Sequence, residues 1–207
     1  MNKFVKLIVL LFCLMGAAQA EMVAPDVLIN STIQEVIAVV KQDKDIQAGN
    51  QKKILALVEA KVLPHFDFAR MTKLAVGKYW RTASAEQKQQ LTAEFRNMLV
   101  RTYTKAFTVY RDQTVEVKPF KLAADATEVT IKTSINKSGA ASVPVDYEME
   151  KTPEGWKAFD ISIEGVSMVT SYRGTFTTQI EQSGIDGLIK LISEKNTTAS
   201  TTQKGEK

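Results

Sequence analysis

The sequence predicts an α+β domain: helices, then a meander of antiparallel strands, then helices, with the helices on one face of a curved sheet. Three observations carry this. Apolar residues recur every three or four positions from Ile29 to Tyr110, then every second position from Val115 to Ile163, then every three or four again from Val169. The alternating stretches are separated by short turn signals, NKSG at 136–139 and TPEG at 152–155, so successive strands pair antiparallel. Each strand carries its apolar residues on one parity, which gives the sheet one apolar and one wet face.

The chain opens with a basic leader, MNKFVK, then the apolar run LIVLLFCLMGAA, then small residues at Ala18 and Ala20. This pattern predicts a secretory signal peptide over residues 1–20, cleaved after Ala20. The apolar run is short for a membrane span, and nothing downstream approaches eighteen consecutive apolar residues. The single cysteine, Cys13, lies in that leader behind Phe12, which does not fit a lipid-anchor site. The segment after the leader therefore has no thiol, and neither a disulfide scaffold nor a thiolate site is available to it. Residues 21–194 are expected to form one domain. The polar tail 195–207 has little to bury and is expected to be disordered. With 27 basic and 23 acidic residues, two of the basic ones in the leader, the charge is too balanced to point to nucleic acid.

Pro25 suits the first turn of a helix. Ile29, Ile33, Val36, Ile37 and Val40 form one stripe, and Gly49 and Asn50 interrupt it. Ile54, Leu55, Val58 and Val62 form a second stripe, stopped by Pro64. Phe66, Met71, Leu74 and Ala75 fit a short helix ending at Gly77. Ser84 and Gln87 make a capping box for the next helix. There Leu91, Phe95, Met98, Leu99, Tyr103, Phe107 and Tyr110 share a face. Val115 and Val117 begin the alternating region. Val129, Ile131 and Ile135 follow, then Val143, Val145, Tyr147 and Met149, then Phe159, Ile161 and Ile163. Trp156 has the opposite parity to Phe159, which predicts a twist or bulge between them. Val169, Tyr172, Phe176 and Ile180 return to helical spacing. Gly184 fits a helix C-cap, and IDGLIKLISEK a last short helix.

Chemistry finds little support. His65 is the only histidine, which is too few ligands for zinc. With Asp67 it lacks a nucleophile to activate, so it reads as a structural group near a helix start. Glu128, Asp146, Glu148, Glu150, Asp160 and Glu164 fall mainly on the wet strand face rather than across a cleft. No glycine-rich phosphate loop is present. Lys73, Lys78, Arg81, Arg101, Lys105, Arg111 and Arg173 read either as a solvated surface or as a cationic rim. The apolar stripes read either as close-packed core or as the wall of a ligand cavity between sheet and helices. Periodicity does not separate these.

Four blocks carry a resemblance: VLPHFDFARMTKLAVGKYWRTASAEQ, EFRNMLVRTYTKAF, GWKAFDISIEGVSMVTSYRGTF and GIDGLIKLI. Together, in this order from about residue 24 to 192, they resemble the MlaC family of periplasmic phospholipid carriers, also called toluene-tolerance or organic-solvent-resistance proteins. The resemblance implies an NTF2-like cone, a curved antiparallel sheet packed under helices, with a deep apolar pocket for acyl chains. It implies a periplasmic, monomeric carrier without cofactor, metal or catalytic activity, whose cargo is phospholipid. Its implied partners are an inner-membrane transporter complex containing an MCE-domain protein and an outer-membrane lipoprotein–porin complex, and its implied role is to maintain outer-membrane lipid asymmetry. The implied pocket lining is Phe66, Met71, Leu74, Tyr79, Phe95, Leu99, Tyr103 and Phe107 from the helices that precede the sheet. The strands would add Val129, Ile131, Val145, Tyr147, Met149, Phe159 and Ile161, and the last helical region Val169, Tyr172 and Phe176. Lys78, Arg81, Arg101 and Arg173 would form a rim for headgroup or partner. Two other readings remain open. One is an exported NTF2-like enzyme acting on a small apolar substrate with Asp67 or Asp160 as base. The other is an interaction module without a pocket.

Overall fold

The structure, a computed structural model, describes residues 22–104 and 113–202, with side chains described as far as Thr197. Helix α1 (Pro25–Gln42) begins at the predicted proline and buries Ile29, Val36 and Val40. Asp43 ends it and caps the single turn α2 (Lys44–Gln47) by accepting from the amides of Asp45 and Ile46. Asn50 caps α3 (Gln51–Lys61) in the same way through the Lys53 amide. These helices close a small cluster of Val36, Val40, Ile46, Ile54 and Leu57. Leu57 faces that cluster, whereas Leu55, expected on the stripe, is exposed.

A 3-10 turn over Leu63–His65 leads to Asp67, whose carboxylate accepts from the Arg70 amide at 2.8 Å and starts α4 (Phe68–Val76). A second 3-10 turn spans Gly77–Arg81. The capping box then forms as the sequence predicts. The Gln87 amide donates to Ser84 Oγ at 3.1 Å, and the Ser84 amide to Gln87 Oε1 at 3.0 Å. Helix α5 (Ala85–Thr104) follows. Lys105, Phe107, Tyr110 and Arg111 lie outside the described residues, as does the leader.

The sheet is a five-stranded antiparallel meander in sequential order: β1 (Thr114–Val117), β2 (Glu128–Asn136), β3 (Val143–Thr152), β4 (Gly155–Ile163) and β5 (Val166–Ser167). Register places Val129 opposite Met149, Ile131 opposite Tyr147, and Tyr147 opposite Ile161, so these side chains share one face. Glu148 pairs with Asp160 but Met149 with Ala158, which leaves Phe159 as the extra residue of a bulge. The bulge restores Trp156 to the apolar face. Phe159, although unopposed in the ladder, packs in the same cluster as Ile161 and Ile163. The β4–β5 hairpin turns on Glu164 (φ 52°) and Gly165 (φ 80°), the left-handed pair a two-residue turn requires.

Helix α6 (Thr170–Thr202) is two helices joined at Gly184, whose φ of 72° breaks the ladder where the sequence predicts a cap. The second half does not stop at Lys195 but runs through Thr202. Asn196 explains the extension. It is buried, its side-chain amide donates to the Glu94 carbonyl and carboxylate, and its own carbonyl accepts from Arg101. Polar contacts with α5 therefore hold a segment that has few apolar residues.

Two main clusters result. Ile29 of α1 packs on Ile131, Met149, Trp156 and Ala158 of the apolar sheet face. Helices α4, α5 and α6 close a second cluster around Phe95, Leu91 and Leu188, which meets the sheet through Phe159, Ile161 and Ile163. Phe66 packs against both. The segment before α4 ties the two together, since Asp67 donates its amide to the Ala158 carbonyl and Lys157 reaches the Pro64 carbonyl.

Candidate functional site

The residues expected to line a pocket divide into two groups. Ile131, Met149, Phe95, Val169, Met71, Phe176, Leu99, Val145 and Phe159 are buried, the first four with no free surface at all. Phe66, Leu74, Tyr79, Tyr103, Val129, Tyr147, Ile161 and Tyr172 keep part of their surface. The structure brings the helical members together with Phe159 and Ile161 in one cluster, and Val129, Ile131, Tyr147 and Met149 in the other. Phe95, Tyr172 and Phe176 form an aromatic triad, with Phe95 edge-on to both others at centroid distances of 5.4 and 5.3 Å. Phe107 lies outside the described residues.

Tyr147 occupies the middle of the apolar sheet face, between Ile131 and Ile161. Protein encloses it so closely that burial pushes its phenol up to about 12. By surface, however, it is only half-buried. On the neighbouring strand Thr133 Oγ1 donates to the Val145 carbonyl at 2.9 Å. Tyr103 at the end of α5 and Tyr172 at the start of α6 pack against the same cluster. Burial first, then Tyr172, pushes the Tyr103 phenol above its ordinary value.

The cations play different parts. Lys78 is exposed, 3.7 Å from Glu181 and over the Tyr79 ring, and Arg81 is exposed with no ion-pair partner among the described residues. Arg173 instead donates to the Leu74 carbonyl at 3.0 and 2.7 Å, and Arg101 to the Asn196 carbonyl. Those two brace α6 against α4 and α5.

Arg70 was missed in the sequence. It extends from α4 to Glu150 on β3 and, at 2.6 Å, to Glu128 on β2, with its guanidinium 3.5 Å from the Phe159 ring centroid. Its partners are 80 and 58 positions away, so no local pattern signals them.

The carboxylates considered as bases are committed elsewhere. Asp67 caps α4. Asp160 accepts from the amides of Ile161 and Val169 and from the Ser167 hydroxyl. His65 is held below its ordinary value by burial and then by Lys157, so its imidazole is neutral near neutral pH. Among the described residues no group of three or more His, Cys, Asp or Glu is placed to hold a metal, and no helix is long and apolar enough to cross a membrane. A surface depression by the end of α1, lined by Val39, Gln42, Asp43, Lys44, Asp45 and Lys53, is shallow and largely polar.

Comparison with known proteins agrees with this architecture. A solved structure of a phospholipid-binding protein from Ralstonia solanacearum, in complex with a phospholipid, superposes with a TM-score of 0.79. It is 36% identical and covers 86% of this chain and 99% of its own. The intermembrane phospholipid transport system binding protein MlaC of Haemophilus influenzae is 26% identical over 160 residues, 72% of this chain and 74% of its own. Toluene tolerance protein ttg2D of Pseudomonas putida is 25% identical over 163 residues, 78% of this chain and 75% of its own. The family model described as MlaC protein matches residues 30–194, which takes in most of α1, α2 to α5, the whole meander and most of α6. With the fold, the order of its elements and this match in agreement, the chain belongs to the MlaC family.

Proposed function

We propose that this protein binds a phospholipid and carries it across the periplasm between the inner and outer membranes, releasing it unchanged. The observation that carries the reading is the likeness, at 36% identity over 86% of the chain, to a structure that holds a phospholipid. The geometry supports it. Tyr147 is deep enough to be strongly desolvated and yet retains free surface, as a side chain does when it borders an internal space. Ile161 and Val129, its neighbours on the same face, are likewise half-buried. The acyl chains would lie there, between α1 and the α4–α5–α6 bundle. The fully buried residues are scaffold behind this wall.

The energetics require such a wall. Two acyl chains carry about thirty methylenes, each costing roughly 0.8 kcal/mol to expose to water. A dry pocket replaces the bilayer interior, so transfer into it lies near equilibrium without a specific bond to each lipid. Direction then comes from partners, an inner-membrane complex with an MCE-domain protein and an outer-membrane lipoprotein–porin complex. Lys78 and Arg81 are the cations available to meet them or a headgroup.

Purified protein should retain phospholipid through intact-complex mass spectrometry, and solvent extraction should recover it unmodified. Protein repeatedly isolated empty, and unable to take lipid from vesicles, would refute the proposal. A chemically altered lipid would replace carriage with catalysis.

A further inference from the structure

Deepening that reading at its cationic rim, on which it rests, we propose that the 3-10 turn Gly77–Arg81 docks directly on an anionic phospholipid surface, its cations on lipid phosphates and its aromatic rings at headgroup level. The turn reads GKYWR. Lys78 and Arg81 are exposed, and Tyr79 and Trp80 between them keep part of their surface. Three more cations gather round it. Lys73 is exposed in the last turn of α4, and its carbonyl accepts from the Gly77 amide. Arg173 lies beside Gly77, close enough that a Cβ there would stand 3.9 Å from its Nε. Lys88 reaches back from α5 over the Trp80 ring, 5.8 Å from its centroid. Lys73, Arg81 and Lys88 have no ion-pair partner among the described residues, and the pair of Lys78 with Glu181 is loose at 3.7 Å.

The charge is uneven at this turn. Beyond the leader, basic and acidic residues nearly balance along the chain. Here Lys73, Lys78, Arg81, Lys88 and Arg173 surround five residues, and the nearby carboxylates are already engaged. Glu181 accepts from the Tyr79 hydroxyl at 2.7 Å, Asp186 from the Gln87 side-chain amide at 2.8 Å, and Glu86 from that of Gln90 at 3.3 Å. The chemistry favours a lipid surface over an acidic protein. Most of these cations are lysines, point charges that suit mobile phosphates rather than fixed bidentate carboxylates. Tyrosine and tryptophan combine an apolar body with a polar tip, and both concentrate where a bilayer meets water. Tyr79 and Trp80 also pack on the cluster that meets Ile161 and Ile163, so docking through this turn holds the helical side of the carrier against the membrane.

The test is flotation of the purified protein with vesicles free of any other protein. Vesicles of equal parts phosphatidylglycerol and phosphatidylcholine should bind it about tenfold better than pure phosphatidylcholine, and added salt should shrink the difference. Lys78→Gln and Arg81→Gln should each weaken binding to the anionic vesicles about fivefold, the worth of one cation near such a surface. Lys52 is exposed at the far end of α3 from α4, and Lys52→Gln should leave binding unchanged. These variants alter only exposed side chains, so loss of the fold does not imitate the pattern. Trp80 emission should move to shorter wavelength on the anionic vesicles alone, and Trp80→Phe should abolish that shift while the buried Trp156 remains. Equal flotation with the two vesicles, or Lys52→Gln as harmful as Lys78→Gln, would overturn the inference. Flotation that needs the partner complexes in the membrane would overturn it too, and would assign the turn to an acidic protein. Association is read apart from cargo. Protein that floats yet never carries phospholipid would overturn the proposed function and leave this inference standing, and protein that takes up lipid without floating would do the reverse.

Discussion

Replacing Ile131 and Ile161 singly by tryptophan separates packed scaffold from pocket wall. The two residues flank Tyr147 on the same sheet face, one on β2 and one on β4. Ile131 has no free surface and sits among Ile29, Met149 and Trp156. An indole there must displace close-packed neighbours, at a cost of about 1–3 kcal/mol. In a domain of this size each kcal/mol moves Tm by about 2–4 °C, so the loss should be about 2–12 °C. Ile161 keeps part of its surface. Its indole can enter the adjoining space, where ~50 Å² of additional buried apolar surface stabilises by about 1 kcal/mol and offsets local strain. The delipidated Ile161→Trp protein should therefore melt within about 3 °C of wild type. It should also retain less than about half the phospholipid, since the ring occupies volume the chains need. Melting must be followed by calorimetry on delipidated samples, because bound ligand raises the apparent stability of the native state. Phospholipid is quantified by phosphate assay on the same preparations before extraction. If Ile161→Trp is destabilised as much as Ile131→Trp and retains full lipid, the space does not lie beside β4 and the placement is wrong.

Arg70→Met should lower stability by about 2 kcal/mol, because it leaves the mostly buried Glu150 carboxylate without its partner, while the exposed Glu128 adds little. Adding Glu150→Gln should restore part of the loss in urea denaturation, and full additivity of the two changes would argue against the pair. For Tyr147 the folded pKa lies above the unfolded one. The stability it confers is therefore complete below about pH 10 and lost as pH rises towards 12, up to about 2 kcal/mol. Urea midpoints at about pH 9 and about pH 11 should differ less in Tyr147→Phe than in wild type, and an unchanged difference would place the titration elsewhere. Glutamate at both Lys78 and Arg81 should slow lipid exchange between donor and acceptor membranes carrying the two partner complexes, without emptying the protein. Lys78 and Arg81 are exposed and the Lys78–Glu181 pair is loose, so the fold should tolerate the change, and unaltered exchange would remove them from the rim.

Much of the architecture was legible because it is local. The parity of Val129, Ile131, Val145 and Tyr147, the Ser84–Gln87 box and the Pro25 start each depend on residues a few positions apart. The bulge was signalled by the conflict in parity between Trp156 and Phe159. The candidate site was less legible. Lys78, Arg81 and Arg173 are all exposed, but Arg173, like the half-buried Arg101, also braces α6 through a backbone carbonyl, which nothing in the sequence distinguishes. The continuation of α6 past Lys195 was hidden because Asn196 is held by Glu94 and Arg101, about a hundred residues earlier.

The sequence alone determined the helix–meander–helix order, the apolar face of the sheet and, through four ordered blocks, the family. Each of these is a pattern that repeats along the chain or within a short segment, and backbone geometry converts such patterns directly into faces and caps. Only the tertiary structure decided which apolar residues are fully buried and which keep part of their surface, and that Arg70 joins α4 to β2 and β3. Those outcomes depend on groups distant in sequence meeting at one place, where desolvation acts on whatever is brought together, and no periodicity encodes such a meeting.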